Sequence, residues 1–297
     1  MRKRGFTLLE LLLILGIVVV LLAIVVPYAA AFREGARRVE CVDQLRQIRD
    51  GLDRYILTNI DYPRVTYAPD SAGYTAFTGT DDAEPFVQGA GEDVQSNDVT
   101  ASLWLLMRSA LVPDPGVFVC PSTWDTADPL TNKDGVRVGP AERGNFRGPG
   151  NLSYSYANPF SMAEQFGLKQ DNLPGGFALM ADMNPGTGVD GIFPVPSDAT
   201  AGQFAAANSP NHNRAGQNVL YADGSVRWHA TPYVGFAYAP AKEEAAAVWG
   251  DNIYSTLSIE SLPAEHGEPF DLPGFIGQSL APSHVNDSYL VPTIRDE

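Results

Sequence analysis

The chain has 297 residues and a formal net charge of −15, from 20 Lys plus Arg and 35 Asp plus Glu. The imbalance lies in residues 65–297, which hold 10 basic and 28 acidic side chains. A surface this acidic repels nucleic acid, so we exclude nucleic-acid binding for this part of the chain.

The N-terminus joins a basic stretch, MRKR, to an apolar run from Phe6 to Val26. This run of 21 residues, rising about 1.5 Å per residue in a helix, is long enough to cross the apolar core of a bilayer. Glu10 lies inside the run, where an ionised carboxylate costs about 3 kcal/mol unless it has a partner. A secretory signal peptide cleaved near residues 29–31 is one interpretation, and a plain membrane anchor is another.

Gly5, Phe6 and Glu10 follow the basic stretch in this order, an unbroken apolar run continues from Leu11 to Val26, and Pro27 comes next. This order resembles the type III signal sequence of type IV pilins and of the pseudopilins of type II secretion systems. The resemblance implies that a prepilin peptidase cleaves after Gly5 and methylates the new N-terminus at Phe6. It also implies that Glu10 neutralises the α-amino group of a neighbouring pilin-like subunit.

Residues 28–61 continue the membrane helix outward as an amphipathic helix. Apolar side chains recur at steps of mostly three and four, which is the spacing of one helix face. They are Val39, Val42, Leu45, Ile48, Leu52, Tyr55 and Ile56. We therefore predict a leader at residues 1–5, a transmembrane half-helix at residues 6–27 and a second half that packs against the chain's own globular head.

Residues 62–261 are predicted to form that head. The stretch SNDVTASLWLLMRSALVP has an apolar face and predicts a helix. Short apolar stretches between Gly, Pro, Asn and Asp predict strands: GVFVC, NLSYSYA, GGFALMAD, QNVLYAD and SVRWHA. The predicted fold class is α+β and pilin-like: a long N-terminal helix, transmembrane then amphipathic, packed on an antiparallel β-sheet head. Residues 262–297 are predicted to be an extended C-terminal segment.

The stretch NHNRAGQNVLYADGSVRWH predicts a hairpin with Asp223 and Gly224 as its two-residue turn. In that register Tyr221 faces Val226 across the hairpin. The spacing of His212, Asp223 and Gly224 also resembles the C-terminal H-X9-DG motif of prepilin-like proteins of the Planctomycetes type, although ten residues separate the histidine from the aspartate here. The stretches ARRVECVDQLRQI, FVCPST and ALMADMNP support this resemblance.

Oxygen-rich loops near the hairpin suggest a Ca²⁺ site. The candidate ligands are Asp182, Asp190, His212 and Asp223, and the resemblance to major pseudopilins, which carry a calcium loop near the C-terminus, favours calcium. The alternative is that His212 and Asn213 cap the hairpin loop through hydrogen bonds.

Cys41 lies on the predicted helix and Cys120 in the head, both outside the cytoplasm if the resemblance holds. In an oxidising compartment an even number of cysteines favours a disulfide, which would join the head to the helix. The alternative is two buried free thiols.

Motifs of the common enzyme classes, such as G-x-S-x-G, H-E-x-x-H and the Walker glycine loop, do not occur in the sequence. We therefore expect a structural pilin-like subunit in the inner, cytoplasmic membrane, with one span and a head in the periplasm or outside the cell, and no catalytic residues. The first alternative is a tethered envelope protein that binds calcium, glycan or a protein partner and uses the leader only for export. The second is an anchored enzyme.

Protein purified from membranes is expected to begin at a methylated Phe6, because a prepilin peptidase would cut after Gly5. N-terminal sequencing or intact mass measures this directly. An N-terminus near Phe32 would instead show an ordinary signal peptide and would contradict the pilin-like interpretation of the leader.

Overall fold

The structure is a computed structural model that describes residues 7–68, 74–81, 84–86, 93–160, 173–186, 200–238, 249–254 and 290–291. Its longest element is helix α1, Leu8–Asn59, of 52 residues. The Thr7 hydroxyl accepts from the Glu10 backbone N–H at 3.2 Å, and the Glu10 carboxylate accepts from the Thr7 N–H at 2.9 Å. This reciprocal cap satisfies two backbone donors at the start of the helix.

Helix α1 has two halves with different surroundings. Side chains from Leu8 to Val26 are exposed in the single chain, and among the described residues α1 alone is long and apolar enough to cross a membrane. Further along, one face is buried by the head, and its residues are Cys41, Leu45, Ile48, Leu52 and Ile56. The predicted amphipathic half is therefore confirmed. Its buried stripe begins at Cys41 rather than at Val39, which is 62% exposed.

The head is built on a five-stranded antiparallel sheet in the order β4-β3-β2-β1-β7. Its strands are β1 (Tyr154–Ala157), β2 (Ala178–Asp182), β3 (Gln217–Tyr221), β4 (Val226–His229) and β7 (Leu290–Val291). Strands β5, Tyr233–Tyr238, and β6, Trp249–Asn252, form a separate two-stranded sheet. Helix α1 packs on β3 and β4, which completes the predicted α+β, pilin-like arrangement.

Helix α2, Val99–Arg108, lies where the sequence predicts the helix of the head. Asp98 caps it by accepting from the Ala101 N–H at 2.7 Å. The helix is buried all round rather than on one face, because residues 99–107 are all buried. A third helix, α3, spans Ala201–Ala207.

One predicted strand is wrong. The stretch GVFVC contributes to a 3₁₀ helix, Pro115–Phe118, which Asp114 caps by accepting from the Gly116 N–H at 2.9 Å. Proline at the first position and an aspartate before it are the chemistry of a helical turn, and this local signal outweighs the apolar run that suggested a strand.

The predicted hairpin forms, but its register differs by one residue from our prediction. Leu220 pairs with Val226, and the Tyr221 N–H donates to the Ser225 carbonyl. The loop thus has three residues, with Gly224 in the left-handed region at a φ of 81°. A three-residue loop that ends in a left-handed glycine is a common hairpin connection, so Asp-Gly here marks a longer turn than the two-residue type.

Strand β7 pairs with β1, so part of the predicted C-terminal segment adds an edge strand to the main sheet. Residue pairs Tyr156–Val291 and Ala157–Leu290 define the register. The Asn184 amide donates to the Leu290 carbonyl at 2.8 Å, which holds this strand from a neighbouring loop. Leu290 and Val291 therefore extend the sheet beside β1.

Gly51 lies where α1 approaches the chain that follows α2. A Cβ at this position would overlap Val112 Cγ2. Alanine favours a helix over glycine by about 1 kcal/mol, but Val112 is stiff at χ1 and overpacking costs about 1 to 3 kcal/mol.

We expect Gly51→Ala to lower the melting temperature of the detergent-solubilised chain. Gly35→Ala is the matched control, because Gly35 has nothing within 4 Å of the new Cβ. A melting temperature that rises equally in both variants would contradict the close approach.

Candidate functional site

Four side chains from distant parts of the chain meet where the buried stripe of α1 begins. Cys41 comes from α1, Cys120 follows the 3₁₀ helix, Asp182 ends β2 and His212 lies in the turn before β3. One potential ligand atom from each of the four lies within 4.8 Å of the others, and all four residues are buried. We call this group the Cys-Cys-Asp-His cluster.

His212 is placed by an unusual stretch of backbone. His212, Asn213 and Arg214 have φ angles of 55°, 57° and 60°, in the left-handed region that non-glycine residues seldom adopt. Such strain persists only where surrounding contacts determine it. The contacts are present: His212 Nδ1 lies 2.6 Å from Glu34 Oε1, and the imidazole packs edge-to-face on Trp228 with ring centroids 5.4 Å apart.

The second nitrogen of the ring, Nε2, faces the cluster. It lies 3.6 Å from Cys120 Sγ, 3.5 Å from Asp182 Oδ2 and 3.4 Å from Asn218 Nδ2. Because Glu34 is an acceptor at Nδ1, that nitrogen carries a proton. The ring is therefore oriented by a carboxylate on one side and directed at two further ligand-type atoms on the other.

Asp182 is held by donors from the neighbouring strand and turn. Its Oδ2 accepts from the Asn218 backbone N–H at 2.7 Å and from Asn218 Nδ2 at 3.3 Å. Its Oδ1 accepts from Asn211 Nδ2 at 3.3 Å. These bonds fix the position of the carboxylate at the end of β2.

Glu34 connects the cluster to the part of α1 nearer the membrane span. It lies seven residues before Cys41, two helical turns earlier on the same face. Ser122 Oγ donates to its carboxylate at 2.9 Å, and the guanidinium groups of Arg37 and Arg38 lie 3.7 and 3.9 Å away. Arg38 also lies 4.0 Å over the Trp228 ring, so cation and indole together shield the cluster from that side.

The surroundings shift the acidities of all these groups. Burial lowers the pKa of His212, but the hydrogen bonds and negative charges of Cys41, Asp182 and Glu34 outweigh burial and raise the pKa to about 9. Burial raises the pKa of Asp182. Burial also acts to raise the pKa of Glu34, yet hydrogen bonds from His212 and Ser122 bring it below its usual value. A proton in this network therefore resides on the imidazole, between two carboxylates.

The two cysteines are free thiols, and both are buried. Hydrogen bonding to Cys120 lowers the pKa of Cys41 to about 7, while burial and the neighbouring Cys41 raise the pKa of Cys120. The pKa of Cys41 is thus shifted down and that of Cys120 up. The structure places the two Sγ atoms within 4.8 Å of each other, and their pairing in the cell stays a prediction.

Three of the four predicted calcium ligands are described by the structure, and they do not all lie together. Asp182 and His212 meet in the cluster, but Asp223 lies at the opposite end of β3, exposed in the hairpin turn. Its carboxylate accepts from the Ser225 N–H at 2.8 Å and from Arg227 at 3.1 Å, so turn geometry explains it. Asp190 lies outside the described residues, as do the predicted processing residues Gly5 and Phe6.

Sequence reasoning paired Cys41 with Cys120 but did not place them with Asp182 and His212, and it did not single out Glu34. The seven-residue spacing of Glu34 and Cys41 on one helix face was the available signal. The capping role considered for His212 is also absent in the expected form, because its imidazole contacts Glu34 and the cluster rather than the hairpin loop.

Chemically, the cluster suits the holding of an ion or a proton. Its four residues are buried, and Trp228 and Arg38 lie over the imidazole side. A buried Cys-His pair can act as a nucleophile only where a substrate reaches it, and the described residues around the cluster leave these side chains without solvent exposure.

Comparison with known proteins gives matches to one kind of protein. The chain is 35% identical to the type II secretion system core protein G of Klebsiella pneumoniae over 91 residues, 31% of this chain and 61% of that protein. The core protein G of Pectobacterium carotovorum is 40% identical over 62 residues, 21% of this chain and 40% of that protein. The Escherichia coli K12 protein of the same name is 37% identical over 62 residues, which are 21% of this chain and 43% of that protein.

The chain therefore spans about 40% to 61% of the length of these relatives. No protein-family model and no solved structure matches it. Together with the apolar half of α1, these similarities support a pilin-like, membrane-anchored protein.

Replacing His212 tests how the cluster contributes to stability. We expect His212→Ala to lower the free energy of unfolding by about 3 kcal/mol, because it removes the imidazole that lies 2.6 Å from Glu34 and 3.5 Å from the buried Asp182 carboxylate. The matched control is His229→Ala on β4, where a half-buried imidazole bonds the Tyr221 hydroxyl at 2.9 Å, a contribution of about 1 kcal/mol. Urea denaturation of the detergent-solubilised chain gives both values, and equal losses would show that the cluster contributes nothing special.

Proposed function

We propose that the chain is a pseudopilin-like structural subunit, processed by a prepilin peptidase and assembled through its N-terminal helix into a type II secretion pseudopilus or a type IV pilus-like filament. The observation that carries this proposal is the division of α1. Its first half has exposed apolar side chains on every face, and its second half is embedded in the head by one face.

The exposed half of α1 requires an apolar environment. Side chains such as Leu8, Leu9 and Leu13 are 77%, 78% and 66% exposed in the single chain. Burial of one such side chain stabilises by about 1.5 to 3 kcal/mol. Lipid supplies this before assembly, and neighbouring helices supply it in a filament, so the same surface supports both membrane anchoring and assembly.

Glu10 is the polar group on this surface. In the single chain its carboxylate caps its own helix at Thr7. Cleavage after Gly5 would create an α-amino group on Phe6, the residue next to Thr7. The carboxylate of one subunit would then have a cation available on an adjacent subunit, and pairing in an apolar bundle relieves the cost of burying either charge.

The similarity to core protein G points to the same system as the N-terminal residues do. The similarity extends over up to 91 residues, whereas the N-terminal motif is a short run of residues. The structural role, rather than a catalytic one, follows because assembly uses the surface of α1 and needs no substrate-binding cleft.

We expect Glu10→Ala to insert and be cleaved normally but to fail in assembly, with a loss of about 3 to 5 kcal/mol in subunit pairing. The measurement is disulfide crosslinking in membranes between copies that carry Leu13→Cys on the exposed half of α1. Glu40→Ala is the matched control, because Glu40 is exposed on the same helix within the head-bearing half.

Strong crosslinking in the control together with its loss in Glu10→Ala supports the pairing. Equal crosslinking in both would mean that Glu10 has no partner between subunits. That result would favour the tethered envelope protein that uses the leader only for export.

A further inference from the structure

We propose that Cys41, Cys120, Asp182 and His212 form a tetrahedral site for a divalent ion of the Zn²⁺ class, which fastens the head to α1. This site is independent of filament assembly. It uses side chains that the proposed function leaves without a role.

Two distances within the cluster, both from His212 Nε2, match the edges of a zinc tetrahedron. With Zn–S near 2.3 Å, Zn–N near 2.05 Å and Zn–O near 2.1 Å, tetrahedral angles give about 3.6 Å between sulfur and nitrogen and about 3.4 Å between nitrogen and oxygen. Cys120 Sγ lies 3.6 Å from His212 Nε2, and Asp182 Oδ2 lies 3.5 Å from the same nitrogen. The four ligand atoms together lie within 4.8 Å of one another.

The separation of His212 Nε2 from Asp182 Oδ2 is less suited to a direct bond. An N–H···O hydrogen bond to a carboxylate is usually 2.7 to 2.9 Å long, whereas these atoms are 3.5 Å apart. Glu34, by contrast, reaches the other ring nitrogen at 2.6 Å. The short contact is on the outer side of the ring and the spaced contacts are on the inner side, as expected if the inner atoms share an ion.

The donor types select the ion. Two thiolates, an imidazole and one carboxylate suit Zn²⁺ and other borderline-soft first-row ions. Ca²⁺ takes six to eight oxygen ligands, and this cluster offers one carboxylate. The site therefore differs from the predicted calcium site in both ligands and ion, although Asp182 and His212 belong to both.

The atoms around the four ligands complete the arrangement. A zinc-bound histidine ordinarily donates its other N–H to a carboxylate, which fixes ring orientation, and Glu34 occupies that position. Asn218 and Asn211 donate to the Asp182 carboxylate and orient it. Asn218 Nδ2 also lies 3.4 Å from His212 Nε2, where its N–H competes with an ion for this nitrogen.

Charge balance is favourable. Binding forms bonds from the ion to two sulfurs, one nitrogen and one oxygen, and any proton on these four atoms passes to solvent. A divalent ion with two thiolates and one carboxylate carries a net charge of −1. Arg37 and Arg38 lie beside Glu34 on the same side, where they offset the negative charge of site and carboxylate.

Because the four ligands come from four separate segments, one ion would join α1 to the sheet and to the turn before β3. The free energy of binding an ion at such a site is also free energy of folding, since the unfolded chain has no preformed site. We therefore expect the ion to be structural, with all coordination positions taken by the protein.

The test uses the full chain, purified in detergent with its thiols reduced and without added chelator. We expect about one zinc per chain by elemental analysis. Chelator should remove it and lower the melting temperature by several degrees, and Zn²⁺ alone should restore both. Replacement by Co²⁺ should give the thiolate charge-transfer and intense visible bands of a tetrahedral site, while excess Ca²⁺ should displace nothing.

Cys41→Ser and Cys120→Ser should each lower zinc affinity at least tenfold, and His229→Ala, outside the cluster, should leave it unchanged. If a variant fails to fold, titration of the wild-type chain against a chromophoric zinc chelator still decides the matter. Failure of the reduced chain to bind stoichiometric zinc would overturn the proposal. So would retention of zinc in both cysteine variants, or recovery of a quantitative Cys41–Cys120 disulfide from the cell envelope.

Discussion

Burial of one face of α1 by the head is the interaction around which the other elements are arranged. Leu45, Ile48 and Leu52 are wholly buried, and each contributes about 1.5 to 3 kcal/mol on transfer from water. A helix of 52 residues has far more surface than the head can cover. The head therefore encloses only the second half, and the first half is left to lipid or to other helices.

The Cys-Cys-Asp-His cluster lies where α1 leaves the head. Cys41 is the first fully buried residue of the stripe. Glu34, two helical turns nearer the span, still forms hydrogen bonds with Ser122 and His212. Apolar packing holds the helix further along, but it is non-directional. The directed contacts at the exit point fix the rotation and depth of the helix relative to the sheet, which hydrophobic contact alone leaves less well determined.

Much of the architecture could be predicted from the sequence, because its signals are local. The period of the stripe along α1, the caps of α2 and the strands around Ala178–Asp182 all follow from neighbouring residues. Two local predictions failed for identifiable reasons: GVFVC was an apolar run governed by Asp114 and Pro115, and the hairpin loop holds three residues rather than two.

The site could not be predicted in the same way. Its ligands are separated by up to 171 positions, from Cys41 to His212, and nothing in the local pattern of either residue specifies the other. Only the packing of α1 on the sheet brings them together. Asp223 illustrates the converse, since it looked like a ligand in a motif but satisfies a turn in which Ser225 and Arg227 are its partners.

The continuity of α1 has a consequence for how this chain tolerates changes in length. Each residue inserted into a helix turns everything beyond it by about 100° and moves it by about 1.5 Å. An insertion between Val26 and Glu34 would leave the composition of both halves intact but would point the head in a different direction relative to Glu10. The number of residues in this stretch therefore sets both the distance and the rotation of the head relative to Glu10.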